Sequence, residues 1–277
     1  MLYNISDQIA HVRNEMLDGE VLNGVKSGFN KLDDLTGGLW NKELIVIGSR
    51  PSMGKTALLL SMLEKTAIDD ERTSVLFSLE NSAQQIMKRL IYQKAHVNCF
   101  SLGRNNEERG YIIDAASDLK KGRLYIDDTP AISPEYIREK CREIQRNRNI
   151  WLIAVDYLQL MHIDGFETRR EMLNHAVKEL KMIAVEYDCP VVLLSQLNRS
   201  VESRTDRHPI LADIRDASEL EEIADEVLFL YRDDYYNWDS DEKGTADLQV
   251  AKCAHGKINR IKLLYMPEYS LFCDFSM

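Results

Sequence analysis

The chain has 277 residues, 44% hydrophobic and 29% charged, which are the length and composition of a folded globular protein with a large core. Its net charge of −10 argues against a protein that coats nucleic acid through bulk positive charge, although a local basic track is compatible with it. Scattered cysteines without a CxxC pair, no apolar run of membrane length and no signal peptide predict a cytoplasmic protein without membrane contact.

The first predicted element is an amphipathic helix, which leads us to separate residues 1–22 from a main domain at 23–277. Ile5, Ile9 and Val12 begin an apolar stripe with the spacing of a helix, and Met16 continues it. Its single apolar face would pack either on its own domain or on a neighbouring subunit, and the sequence favours neither.

Strands and helices alternate along the rest of the chain. Continuous apolar runs predict core strands at 45–47, 74–79, 124–126, 151–155, 190–196 and 226–230. Helical patterns occur at 57–63, 82–92, 133–146 and 171–187, and the polar stretches predict loops at 98–108 and 233–244. A hairpin is predicted at 248–251 and 261–265. The pattern predicts an α/β fold with a mainly parallel central sheet covered by helices on both faces.

The first core strand leads into a phosphate-binding loop. Gly54-Lys55-Thr56 lies between a strand and a helix, which is the order of a P-loop, although Ser49 stands where the common pattern has its first glycine. Backbone N–H groups and the helix N-terminus cradle phosphates, Lys55 contacts the β- and γ-phosphates, and Thr56 ligates Mg²⁺. We predict a site for ATP, or another nucleoside triphosphate, and Mg²⁺, formed by Ser49, Arg50, Pro51, Ser52, Met53, Gly54, Lys55, Thr56 and Ala57.

Polar residues follow three other core strands. Because parallel strands end at one edge of the sheet, where ligands bind, Glu80, Asp156 and Gln196 are predicted to converge on the P-loop. Asp156 follows an apolar strand in the manner of a Walker B carboxylate and would hold Mg²⁺ with Thr56. Glu80 is the candidate general base for the attacking water, and Gln196 the candidate sensor of the γ-phosphate.

Several blocks of the sequence together resemble one family. They are residues 49–56, 77–80, 155–161, 194–199, 212–216 and 231–233. In their order and spacing, they resemble the C-terminal motor domain of DnaB-family replicative DNA helicases. The resemblance implies a RecA-like P-loop NTPase core and a ring, usually a hexamer, which encircles single-stranded DNA and moves along it by hydrolysing ATP. It also implies a role in DNA replication, with primase and a helicase loader as partners.

The resemblance assigns further residues to DNA binding. Arg215, Asp216 and Ser218 match the loop that follows the DNA backbone, where the family usually has glycine at the position of Ser218. On the residues alone, Arg215 forms a surface ion pair with Asp213 or Glu219 about as readily. The family also carries an N-terminal helical domain and a linker that bind primase, and this chain begins at or near that linker helix.

The largest departure from the family lies at residues 250–256. The family usually reads Lys-Gln-Arg-Asn-Gly here, and its arginine reaches the γ-phosphate of the neighbouring subunit. Ala254 occupies that position, whereas Lys252 is retained and is predicted to act in trans, with His255 and Lys257 as further candidates. An arginine finger contributes roughly 10³-fold or more to hydrolysis. We therefore expect nucleotide binding to persist and turnover to slow.

Two functions are consistent with these features. The first is an ATP-dependent, ring-forming helicase or translocase, with Lys55, Glu80, Gln196 and Lys252 as catalytic residues. The alternative is a nucleotide-binding DnaB-like scaffold or regulator with little hydrolysis, which Ala254 favours. The complete set of residues around the P-loop favours the motor. A recombinase or clock-type RecA relative shares the fold but explains the block at 194–199 less well.

Overall fold

The computed structural model of the chain describes residues 24–100, 106–214 and 219–275. The predicted helix and domain boundary within the first 23 residues lie outside the described residues, as do Arg215, Asp216 and Ser218. Within those three ranges, the structure contains no helix that is both long and apolar enough to cross a membrane.

Nine strands of the described chain form one central sheet, and two short strands pair separately. The bounds are β1 (Gly24–Val25), β2 (Leu39–Trp40), β3 (Leu44–Ser49), β4 (Ser74–Ser78), β5 (Leu124–Asp127), β6 (Leu152–Asp156), β7 (Val191–Gln196), β8 (Glu226–Tyr231), β9 (Thr245–Cys253), β10 (Asn259–Met266) and β11 (Leu271–Asp274). The sheet order is β11-β10-β9-β8-β3-β7-β6-β4-β5. The strands from β8 to β5 are parallel, and β9, β10 and β11 extend the sheet antiparallel.

Helices cover both faces of this sheet. Their bounds are α1 (Asn30–Thr36), α2 (Lys55–Leu63), α3 (Ala83–Ala95), α4 (Asn106–Leu119), α5 (Pro134–Gln145), α6 (Arg169–Tyr187), α7 (Leu220–Ile223) and α8 (Asp233–Tyr236). Residues of β3 alternate between two apolar layers: Leu44 and Val46 pack with α5 and α6, whereas Ile45 and Ile47 pack with α2 and α3. The predicted α/β fold with a mainly parallel, two-sided sheet is therefore confirmed.

Several elements differ from the sequence prediction. Helix α4 begins inside the stretch predicted as a loop, and the short elements β1, β2, α7, α8 and β11 were not predicted. Helix α4 buries only Ala115 among its described side chains, so its sequence carries no apolar stripe. Strand β11 is four residues long and directly follows a turn, which makes it too short to be recognised from alternation alone.

Glu226, the first residue of β8, is a carboxyl group buried in the core. It is 1% exposed, and neither of its carboxylate oxygens has a hydrogen-bond partner among the described residues. Burial, followed by the nearby carboxylates of Glu43 and Asp33, raises the pKa of Glu226 from 4.5 to about 8. The carboxyl group is therefore protonated in the folded protein at neutral pH.

This raised pKa gives a testable dependence of stability on pH. The unfolded chain ionises Glu226 near its ordinary value, so the stability that the neutral group supports is complete below pH 4.5 and is lost as the pH rises towards 8. We expect Glu226→Gln, which is neutral throughout, to exceed the native chain in unfolding free energy at high pH by roughly 5 kcal/mol, with the gap closing in mild acid. Urea denaturation of both chains, at high pH and again in mild acid, measures the difference in unfolding free energy.

The control for this prediction is Glu222→Gln, at an exposed position of the same segment. Its unfolding free energy should follow that of the native chain at both pH values. A gap between the native chain and Glu226→Gln that stays constant with pH would contradict the assignment of a neutral Glu226.

Candidate nucleotide-binding site

The P-loop joins β3 to α2 through a tight turn that requires glycine at one position. Gly54 has a φ of 98°, in the left-handed region, and a Cβ at this residue would lie 3.0 Å from the Phe272 ring. Gly48 serves a different purpose, because a Cβ there would lie 2.9 Å from Leu197 and 3.0 Å from Phe229. Ser49 ends the strand without a positive φ, so serine fits the position where the common motif has glycine.

A cavity of about 520 Å³ opens at the carboxyl ends of the parallel strands. The P-loop contributes Pro51, Ser52, Gly54, Lys55, Thr56 and Ala57 to its lining. Glu80 and Gln196 line the same cavity, as predicted from the convergence of strand ends. The side chains of Ser49, Arg50 and Met53 do not line it: all three are buried, and Arg50 is directed elsewhere. These three residues can therefore contribute backbone groups only.

Thr56, which lines the cavity, forms a hydrogen-bonded pair with the buried Asp156 behind it. The Thr56 hydroxyl donates to Asp156 Oδ2 over 2.7 Å, and the buried Asp156 Oδ1 has no partner in the described structure. Burial raises the pKa of Asp156, and the charge of Glu80 adds to this, while the Thr56 hydrogen bond and Lys55 oppose it. A hydroxyl and an unpaired carboxylate oxygen are the hard oxygen donors that Mg²⁺ prefers, so these residues fit that ion.

The described residues contain no group of three or more His, Cys, Asp or Glu side chains arranged around a common metal position. A Mg²⁺ ion at this site would therefore be held by Thr56, Asp156, water and the phosphates themselves. This is the arrangement in which Mg²⁺ keeps part of its hydration shell and binds together with a nucleotide.

Gln196 is held in place by Gln159, a residue that sequence reasoning missed. Gln159 Oε1 accepts the Gln196 backbone N–H at 3.0 Å, and Gln159 Nε2 donates to the Gln196 carbonyl at 3.2 Å and to Ser195 Oγ at 3.1 Å. Gln159 lies in one of the blocks that carry the family resemblance, but no local pattern indicates that its amide reaches the next strand. The Gln196 backbone is thus fixed while its side chain faces the cavity.

The far side of the cavity is aromatic and was not predicted. β10 and the following turn contribute Tyr265, Pro267 and Ser270. Helix α3 contributes Arg89 and Tyr92, and the segment after that helix contributes Cys99. The Tyr265 ring stacks on Phe272 with centroids 4.4 Å apart, and the Arg232 guanidinium lies 4.4 Å from the same ring. The Tyr265 ring is therefore held by Phe272 and Arg232, and a less polar wall of this kind suits a nucleotide base, whereas the P-loop side suits phosphates.

Lys252 and Ala254 lie near the amino ends of the parallel strands, whereas the cavity lies at their carboxyl ends. Cys253 pairs with Glu226 across β8 and β9, level with Ile45 at the start of β3, whereas the P-loop follows the end of that strand. Lys252 Nζ donates to the carbonyls of Glu221 and Glu222, at 2.7 and 3.1 Å, at the end of α7. Neither Lys252 nor Ala254 lines the cavity of its own chain, so an active-site role for them requires a second copy.

The loop that contains Ala254 is fastened to α1 and β2. His255 stacks on Trp40 with ring centroids 4.3 Å apart, and its Nε2 lies 2.9 Å from Glu43 Oε1. The Lys257 N–H donates to the Leu35 carbonyl at 3.1 Å, and a Cβ at Gly256 would lie 2.3 Å from that same carbonyl oxygen. Ala254 itself is exposed. The loop backbone is therefore fixed by contacts on either side of Ala254.

The strand, the loop and the Thr56–Asp156 pair, set on a mainly parallel sheet, define a P-loop nucleotide-binding protein. The family model described as DnaB-like helicase C terminal domain matches residues 24–274, and the chain belongs to that family. It is 38% identical to the replicative DNA helicase DnaB of Geobacillus stearothermophilus and 35% identical to the replicative DNA helicase DnaC of Bacillus subtilis, each over 99% of this chain. The chain spans 61% of the length of each of these two relatives.

Solved structures give the same result. One solved ATPase domain is 31% identical to this chain, with a TM-score of 0.94 and coverage of 100% of both chains. The structure of a DnaB-like replicative helicase and its interactions with primase is also 31% identical, with a TM-score of 0.91, and this chain covers 68% of it. The predicted family resemblance and the RecA-like fold are therefore confirmed.

Proposed function

We propose that this chain is an ATP-dependent, ring-forming helicase or translocase of the DnaB type, which acts on single-stranded DNA in DNA replication. One observation carries the proposal: Lys55, Thr56, Glu80 and Gln196 line a single cavity, and Thr56 is bonded to Asp156. These are the parts that phosphoryl transfer to water requires, and they come from four different strands and loops.

Each residue has a distinct task in the proposed reaction. The P-loop backbone and Lys55 bind the phosphates. Thr56 and Asp156 would hold Mg²⁺, which would supply positive charge to the phosphates. Glu80 is exposed at the cavity, where it orients water and accepts its proton. Gln196 contacts the γ-phosphate, so its position differs before and after hydrolysis. Arg215, Asp216 and Ser218 would then contact the DNA backbone.

Assembly is part of the same proposal. The ring is expected to be a hexamer, in which each subunit places the edge formed by residues 252–257 against the cavity of the next. The names of relatives that act in DNA replication, and the solved helicase described with primase, support a replicative role and primase as a partner. A helicase loader is a further expected partner of such a ring. In this assembly Lys252 acts in trans only after releasing the carbonyls of Glu221 and Glu222.

The second candidate function is a nucleotide-binding scaffold with little hydrolysis. The exposed Ala254 and the internally bonded Lys252 favour it, because neither supplies a mobile cation to a neighbour. The retention of Glu80, whose evident use is to activate water, supports the motor instead. The family relationship to replicative helicases also supports the motor.

ATP hydrolysis measured with and without oligothymidylate tests the proposal. We expect the native chain to hydrolyse ATP and single-stranded DNA to increase the rate, and we expect Glu80→Gln to reduce turnover by about 10²-fold or more while keeping nucleotide affinity. Glu167→Gln, at an exposed position outside the cavity, is the matched control. A native chain that binds ATP but shows no turnover at any DNA concentration would contradict the motor and support the scaffold.

A further inference from the structure

Arg50 belongs to the P-loop, but its side chain is directed away from the phosphate cavity. The residue is 6% exposed. Its Nε donates to Glu202 Oε1 at 2.9 Å, and its Nη1 donates to the Leu197 carbonyl at 2.6 Å. A buried guanidinium is costly unless it is paired, and its planar fork gives both bonds a fixed geometry. Arg50 therefore fixes the segment that begins at Leu197 relative to the P-loop.

The start of this segment is linked to the P-loop strand twice. The Leu197 N–H donates to the Ser49 carbonyl at 3.1 Å, and the Leu197 carbonyl accepts from Arg50. Leu197 also directly follows Gln196, which lines the cavity. The residue beside the candidate sensor is thus hydrogen-bonded to both Ser49 and Arg50 of the P-loop, so a displacement of that loop would also displace Leu197.

The segment comprises residues 197–214, and hydrogen bonds to Asp213 join its two ends. The Asn198 N–H donates to the Asp213 carbonyl at 3.1 Å. The buried Asp213 carboxylate accepts from Arg204 at 2.8 and 2.9 Å and from the Ile210 N–H at 2.8 Å. These bonds join both ends of the segment, so residue 214 is held in register with residue 198. Residues 215–218, predicted to contact DNA, follow immediately in the sequence.

We propose that Arg50 is a positioning residue, not a phosphate ligand, which ties the P-loop to residues 197–214 and so couples nucleotide binding to DNA binding. The inference rests on the proposed function, because it needs a chain that binds both ligands. Coupling of this kind is reciprocal: if nucleotide strengthens DNA binding by a given factor, DNA strengthens nucleotide binding by the same factor. Breaking the link should reduce that factor without removing either site.

The experiment measures the affinity for fluorescent oligothymidylate with and without a non-hydrolysable ATP analogue. We expect a ratio of about tenfold in the native chain, within the range typical of coupled sites. The ratio should fall to below about threefold in Arg50→Met, to an intermediate value in Glu202→Gln, and recover in part in Arg50→Lys, which keeps one of the two bonds. Arg138→Met, which removes an arginine bonded to Glu179 and Glu186 far from the P-loop, is the matched control and should keep the native ratio.

Each outcome supports or overturns the inference. Native ratios in both Arg50→Met and Glu202→Gln would overturn the coupling role and leave the proposed function intact. A native chain that binds the analogue but no single-stranded DNA would overturn the proposed function and the inference with it. Because the Glu202 side chain is partly exposed, its variant is expected to fold even if the buried Arg50→Met does not. Thermal unfolding shows which variants fold. If Arg50→Met does not fold, the ratio measured for Glu202→Gln alone decides the outcome.

Discussion

Ala254→Arg is expected to raise DNA-stimulated ATP turnover by about 10- to 10³-fold. An arginine here would neutralise charge that grows on the transferred phosphoryl group of a neighbouring copy, the interaction that contributes most to arginine-finger catalysis. The loop backbone is already fixed by His255, Gly256 and Lys257, so the new side chain begins from a defined position. Steady-state hydrolysis of the native chain and the variant, at equal concentrations with saturating DNA, measures the effect.

A mixing experiment shows whether this effect acts between subunits. Chains that carry both Glu80→Gln and Ala254→Arg have no working general base of their own, yet they present the arginine. Adding them to native chains should increase total turnover above that of the native chains alone. Ala254→Gln, which adds bulk without charge, should leave turnover near the native rate. Equal rates for native and Ala254→Arg rings would contradict a trans role for this position.

Lys55→Ala is expected to reduce ATP turnover by about 10³-fold or more and to weaken nucleotide binding. Lys55 begins α2 at the cavity, with its Nζ 5.8 Å from the centroid of the Tyr157 ring. Burial lowers the pKa of Lys55, and the carboxylates of Asp156 and Glu80 oppose that shift because they favour the charged amine. Removing the amine takes away the positive charge that Lys55 places between these carboxylates and the phosphates.

Titration with a fluorescent ATP analogue and a phosphate-release assay measure the two effects of Lys55→Ala. Lys88→Ala, at an exposed position of α3, is the matched control and should retain the native affinity and rate. Unchanged affinity and turnover in Lys55→Ala would overturn the assignment of the phosphate site itself. The Ala254→Arg experiment depends on a working P-loop. The Lys55→Ala result therefore shows whether a change in turnover caused by Ala254→Arg concerns nucleotide bound at that loop.

The position of Lys55 and Thr56 at the cavity can be predicted from the sequence because it depends on local rules. Gly54-Lys55-Thr56 needs only a strand before it and a helix after it, and residues at the ends of parallel strands must converge. The placement of Glu80 and Gln196 follows from this topology. The position of each of these residues is set by the backbone at the end of a strand. The hydrophobic pattern predicts where those strands begin and end.

The remaining features depend on contacts between distant parts of the chain. Arg50 was assigned to the nucleotide because it lies within the motif, but Glu202, 152 residues away, determines its direction. The aromatic wall around Tyr265 requires the antiparallel extension of the sheet to pack over the P-loop, and no motif marks it. Gln159 likewise acts through a hydrogen bond to a neighbouring strand, 37 residues away in sequence. Side-chain direction is a tertiary property, and a single sequence does not encode it locally.

The fastening of the 254–257 loop has a consequence for how activity can change over evolutionary time. His255 is held by Trp40 and Glu43, and Gly256 packs directly against α1, so none of these contacts that shape the loop involves the side chain of Ala254. In the proposed ring, substitution at Ala254 would therefore change the catalytic rate without requiring the core to repack. Catalytic rate and stability could then be selected independently.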